Sequence, residues 1–98
     1  MREDESMRIA LITGAGRKGG LGYEASRQLA EKGHHVILTA RRLEQVEPLA
    51  QELVAQGLSA SALRLDLTDD ASVVAAARAV EAEHGRLDVL INNAVLMI

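Results

Sequence analysis

The sequence predicts an α/β fold built on a parallel four-stranded sheet, and three observations carry that prediction. Four short apolar runs alternate with three amphipathic stretches of helical length. Gly33, Gly57 and Gly85 each stand where one of those stretches ends. The first apolar run leads into Thr13-Gly14-Ala15-Gly16-Arg17-Lys18-Gly19-Gly20-Leu21-Gly22, which holds five of the chain's eight glycines. Strands and helices alternating in this way connect by right-handed crossovers, and the expected strand order is 3-2-1-4.

Each element has its own signal. Met1 to Ser6 is an acidic, polar leader expected to be disordered, and Met7 is an alternative start. Arg8 to Thr13 is the first strand, centred on Ile9-Ala10-Leu11-Ile12. A helix runs from about Gly20 to Gly33, with Leu21, Ala25 and Leu29 at helical spacing and Glu24, Arg27, Gln28 and Glu31 on the other faces. His35 to Thr39 is the second strand. Val46, Leu49, Ala50, Leu53 and Val54 form the apolar face of the next helix, which Gly57 ends. Pro48 lacks an N–H, so that helix begins only a few residues before it. Ala62 to Asp66 is the third strand, weakened by Arg64. Thr68 or Asp69 caps the third helix, whose expected buried stripe is Val73, Ala76, Ala77 and Val80. Leu87 to Ile91 is the fourth strand and runs into Asn92-Asn93-Ala94. Residues 7–98 thus read as a Rossmann-type three-layer α/β/α unit, the truncated half of a doubly wound fold.

Composition removes several classes of function. At 98 residues the chain is one domain, and with 48% apolar but only 1% aromatic residues its core is aliphatic. A net charge of -3 without a basic stripe argues against nucleic acid as a partner. No cysteine is present, which excludes disulfides and thiolate metal sites. The leader is the opposite of a secretory signal and no apolar run is long enough to cross a membrane, so a cytoplasmic protein without a membrane partner is expected. Lys18 is followed by Gly19 rather than Ser or Thr, which disqualifies a P-loop. A methyltransferase would want an acid where Arg41 stands.

In sheets of this kind ligands bind at the carboxyl ends of the strands. Here those ends are Thr13-Gly14, Ala40-Arg41-Arg42, Asp66-Leu67 and Asn92-Asn93-Ala94. The glycine turn lets the backbone approach a pyrophosphate, and the helix start offers it open N–H groups and a positive dipole end. G-x-G-x-x-G fits from Gly14 to Gly19, and G-x-x-x-G-x-G fits from Gly16 to Gly22, so the register stays open. An NAD site places an acid about twenty residues past the glycines to hold the ribose 2′-hydroxyl. This chain has Arg41 and Arg42 there and no acid until Glu44. Two guanidiniums suit a 2′-phosphate, with Arg17 and Lys18 of the loop facing the same group. NADP(H) is therefore favoured over NAD(H). His34 and His35 enter a strand at the opposite edge and read as surface residues, and His84 reads as a partner of its helix dipole.

Thr13-Gly14, Gly20-Leu21-Gly22, Asp66-Leu67 and Asn92-Asn93-Ala94 together resemble the N-terminal half of a short-chain dehydrogenase/reductase, from Met7 onward. The resemblance implies that the turn of Gly14, Gly16, Gly20 and Gly22 binds the pyrophosphate, with Leu21 touching it through its backbone. It implies that Asp66 bonds the adenine amino group, that Leu67 helps enclose the ring, and that Asn92, Asn93 and Ala94 support the strand and contact the adenosine ribose. Two departures stand out. Ala15 to Gly19 puts five residues between Thr-Gly and Gly-x-Gly where the family has three, and Val95 replaces a family glycine.

The family's catalytic Ser, Tyr and Lys lie in its second half, so no catalytic residue is expected in this chain. Tyr23, followed by Arg27 four residues on, reads as a packing residue. The chain alone is expected to be inactive, while the full-length form would transfer hydride between NADP(H) and a carbonyl or alcohol. A non-catalytic NADP-sensing or interaction module, or an inactive gene fragment, is the alternative. The open fourth strand and the apolar Val95-Leu96-Met97-Ile98 predict self-association.

Overall fold

The computed structural model describes residues 7–93. Within them the alternation becomes β1 (Ile9–Ile12), α1 (Leu21–Glu31), β2 (His35–Ala40), α2 (Leu43–Ala55), β3 (Ala60–Arg64), α3 (Asp70–His84) and β4 (Val89–Ile91). All strands are parallel in the order β3-β2-β1-β4, as the crossovers require. The leader from Met1 to Ser6, Ala94, and the residues from Val95 to Ile98 lie outside the described residues.

Side chains alternate along each strand, and this divides the core in two. Ala10, Ile12, Val36, Leu38 and Ala40 face α1 and α2, whose Tyr23, Ala30, Val46, Leu49 and Leu53 close over them. Ile9, Leu11 and Ile37 face the other way, toward Val80 of α3. The first layer is filled. The second is thin, and between α3, β1 and β4 an apolar cavity of about 440 Å³ remains, lined by Leu11, Leu67, Val73, Val80, Leu87 and Leu90 among others.

Helix α1 is rotated from the expected phase. Leu21 is 81% exposed, and the buried face is Gly22, Tyr23, Ser26 and Ala30. Gly22 and Ser26 are on this face because the start of the helix lies directly on the glycine turn, while Tyr23 reaches the core. A Cβ on Gly22 would stand 2.9 Å from the Gly14 carbonyl oxygen and 3.0 Å from Ala15 Cα. Ser26 is tolerated there because its hydroxyl donates to the Gly22 carbonyl at 2.8 Å.

Helix α2 starts at Leu43, five residues ahead of Pro48, close to the expected start. Strand β3 pairs with β2 over Ala60–Arg64, two residues earlier than expected. Ser59 and Ser61 tolerate this position because their hydroxyls meet the two ring nitrogens of His35 at 2.6 and 3.0 Å. His35 is accordingly half-buried, not a surface residue. Its ring packs on His84 of α3 with centroids 4.7 Å apart, and burial, then the His84 charge, push its pKa below the usual histidine value.

Asp69 is the residue that caps α3, accepting from the Ala71 N–H at 3.0 Å. Ser72, Ala76 and Val80 form its buried side. Val73 and Ala77, expected inside, are exposed along the cavity, which among the described residues separates them from Leu11 and Leu90 across it.

Candidate functional site

Hydrogen bonds from its neighbours on both sides fix the end of β1. The Thr39 hydroxyl of β2 donates to the Ile12 carbonyl at 2.9 Å, and the Ala15 N–H returns to the Thr39 carbonyl at 2.9 Å. Toward β4, the Thr13 N–H reaches the Ile91 carbonyl at 3.0 Å. The Thr13 hydroxyl donates to Asn92 Oδ1 at 3.0 Å and accepts the Asn93 N–H at 2.8 Å. Asn93 Nδ2 then donates to the Gly14 carbonyl at 3.2 Å. The glycine turn therefore departs from a rigid base that Asn92 and Asn93 help to build.

Beyond that base the loop is open. Gly19 has φ +86 with nothing within 4 Å of where a Cβ would sit, a conformation that suits glycine. The Gly20 N–H bonds the Arg17 carbonyl at 3.0 Å, so the tip from Arg17 to Gly20 is a tight turn. Gly20 is also the N-cap of α1 and offers no side chain to the first-turn N–H groups. Those donors and the positive end of the helix face the carboxyl edge of the sheet. Gly16 is tighter, since a Cβ there would meet Ala40 Cβ at 3.0 Å and Gln45 Cβ at 3.1 Å.

The two basic residues of the loop differ. Lys18 Nζ lies 2.8 Å from the Glu52 carboxylate of α2, which raises the lysine pKa through that hydrogen bond and charge. Tyr23 is buried and its hydroxyl donates to the same Glu52 carboxylate at 3.4 Å; burial raises its pKa first, and Glu52 adds to this. Arg17 has no carboxylate partner among the described residues. Glu52 had no local signal in the sequence, because its partners lie far away along the chain.

Arg41 follows β2 immediately and Arg42 is the N-cap of α2. Both are exposed, and neither has a carboxylate partner among the described residues. Next to them, Asp66 forms a tight turn after β3. Its Oδ1 accepts the Thr68 N–H at 3.0 Å and the Thr68 hydroxyl at 2.7 Å. Those two bonds, with smaller help from Arg41 and Arg64, hold its carboxyl below the usual aspartate value. The Asp66 N–H donates to Ser72 Oγ at 2.9 Å, tying the turn to α3. Leu67 is partly buried on the rim of the apolar cavity. Arg64, read from sequence only as a flaw in a strand, donates from Nε to the Arg41 carbonyl at 3.0 Å.

The arrangement fits a dinucleotide. It offers an open glycine turn, uncapped helix donors, exposed arginines at the end of β2 and a fixed carboxylate at the end of β3. No group of His, Cys, Asp and Glu among the described residues is arranged to hold a metal ion. No helix among them is long and apolar enough to cross a membrane.

The family model described as short chain dehydrogenase matches residues 8–98. The chain is 43% identical over 95 residues to (+)-neomenthol dehydrogenase of Arabidopsis thaliana, covering 93% of this chain and 31% of that protein. It is 46% identical over 94 residues to (-)-isopiperitenone reductase of Mentha piperita, covering 92% and 29% respectively. A crystal structure of a metagenomic short-chain oxidoreductase in complex with NADP superposes with a TM-score of 0.83 at 40% identity, over 91% of this chain and 39% of that one. The chain spans about a third of the length of the curated relatives it matches.

Proposed function

The chain belongs to the short chain dehydrogenase family, and on that footing we propose that it is the NADP(H)-binding portion of an oxidoreductase acting between a carbonyl and an alcohol. One observation carries the reading: the glycine turn, Arg41 and Arg42, Asp66 and the Asn92-Asn93 pair occupy a single edge of the sheet. The similar metagenomic oxidoreductase, whose structure contains NADP, supports it.

In this reading the backbone of Gly14, Gly16, Gly20, Leu21 and Gly22 surrounds the pyrophosphate. Arg41 holds the 2′-phosphate first, and Arg42 or Arg17 second. Lys18 joins them only if the phosphate outcompetes Glu52. Asp66 keeps Oδ2 for the adenine amino group, since Oδ1 is committed to Thr68. Leu67 encloses the ring, and Asn92 and Asn93 lie beside the adenosine ribose. Bound NADP(H) would supply or accept the hydride. Tyr23 takes no part in proton transfer, because it is buried with its phenol on Glu52. Self-association along β4 belongs to the same reading, supported by the exposed Leu87 and Leu90.

Titration of the 98-residue chain with NADPH and with NADH, followed by nicotinamide fluorescence, tests this. NADPH is expected to bind at least about tenfold more tightly, the equivalent of one charge-assisted hydrogen bond. Equal affinities would reject the NADP preference, and binding of neither would reject the cofactor site.

A further inference from the structure

Arg64 ends β3 at the carboxyl edge, with its side chain half exposed. Its Nε holds the Arg41 carbonyl at 3.0 Å, while its terminal nitrogen lies 3.9 Å from both Asp66 Oδ2 and Asp69 Oδ2. One guanidinium thus joins the end of β2, the turn after β3 and the cap of α3.

Two physical consequences follow. Arg41 sits where the chain leaves the sheet, two residues before α2 begins, so fixing its carbonyl also fixes the direction in which its side chain departs. The second consequence is electrostatic. Asp66 and Asp69 both lie within 4 Å of the Arg64 guanidinium, and Asp66 also feels the Arg41 charge. An anionic ligand at Arg41 competes with those carboxylates for the same cation. Arg64 gives them a cation of their own and leaves Arg41 to the ligand.

We infer that Arg64 is a positioning residue for 2′-phosphate discrimination, acting through Arg41 rather than by touching the ligand. The inference rests on the NADP(H) site proposed above. Its test compares 2′,5′-ADP with 5′-AMP, two probes that differ by the 2′-phosphate, by calorimetric titration of the chain and its variants. Arg64→Gln is expected to weaken 2′,5′-ADP roughly three- to tenfold, as for one lost hydrogen bond, and 5′-AMP less than about twofold. Arg64→Lys should fall between, since an ammonium restores the charge but not the bridge. In an Arg41→Gln background, Arg64→Gln should leave the ratio of the two affinities unchanged.

An unchanged ratio in the single Arg64→Gln variant, or equal losses for both probes, would overturn the inference while leaving the site reading intact. A ratio that still changes in the Arg41→Gln background would overturn it by showing direct contact with the phosphate. If circular dichroism shows Arg64→Gln unfolded, Arg64→Lys carries the comparison, and a wild-type ratio there overturns the inference. Failure of the unmodified chain to bind either probe would overturn the site reading, and the inference with it.

Discussion

Replacing Arg41 with aspartate is expected to turn a preference for NADPH into one for NADH. Arg41 is exposed at the end of β2 with no carboxylate partner among the described residues, so its charge is available to a ligand. A hydrogen bond to a charged group contributes about 1.5–3 kcal/mol, so its loss should weaken NADPH roughly ten- to a hundredfold. The new carboxylate would also repel the 2′-phosphate. With NADH the sign reverses, because an acid at this position accepts from the ribose 2′-hydroxyl. The gain will be smaller than the loss, since Arg64, anchored on the Arg41 carbonyl, is close enough to attract an introduced aspartate. Dissociation constants for both cofactors, before and after the change, check the expectation. Equal ratios would remove Arg41 from the site.

The second large effect is on stability. Gly22→Val places a branched side chain where a Cβ alone meets Gly14 O at 2.9 Å, Ala15 Cα at 3.0 Å and Asn93 Nδ2 at 3.0 Å. Two of these neighbours are backbone of the turn that Thr13 and Thr39 fix from either side, so α1 has to move. Overpacking of this kind costs about 1–3 kcal/mol, or more when backbone is displaced. At roughly 4–8 °C per kcal/mol in a domain of this size, a fall in Tm of about 5–20 °C is expected. Leu21→Ala, by contrast, should leave Tm nearly unchanged, because Leu21 is exposed. A thermal melt in which Leu21→Ala costs more than Gly22→Val would restore the helix phase first expected from the sequence.

That contrast shows what was legible in the sequence. Strand order and helix ends were, because apolar periodicity and glycine punctuation act locally and agree with each other. The phase of α1 was not. Periodicity rewards large apolar residues, whereas Gly22 and Ser26 are buried because they are small. The position of β3 was missed for a related reason: Ser59 and Ser61 read as loop until His35 pairs with them across the sheet.

The candidate edge was legible wherever a motif lies at the end of a strand, as with Arg41 and Asp66. Lys18 shows the limit. Its charge suggested a phosphate, but its partner Glu52 lies three elements further along the chain and only folding brings them together. Arg64 was hidden in the same way, since a lone arginine at the end of a strand has no pattern until the Arg41 carbonyl and two aspartates surround it.

An amide chemical-shift map of the isotope-labelled chain during titration with NADP⁺ tests the cofactor edge most directly. Shifts are expected to concentrate in the glycine turn from Gly14 to Gly22 and at Arg41, Asp66, Leu67, Asn92 and Asn93. His34, His35, Gly57 and Gly85, at the opposite edge of the sheet, should stay where they are. Shifts centred on that opposite edge, or no shifts at saturating cofactor, would contradict an NADP(H) site at the carboxyl ends of the strands.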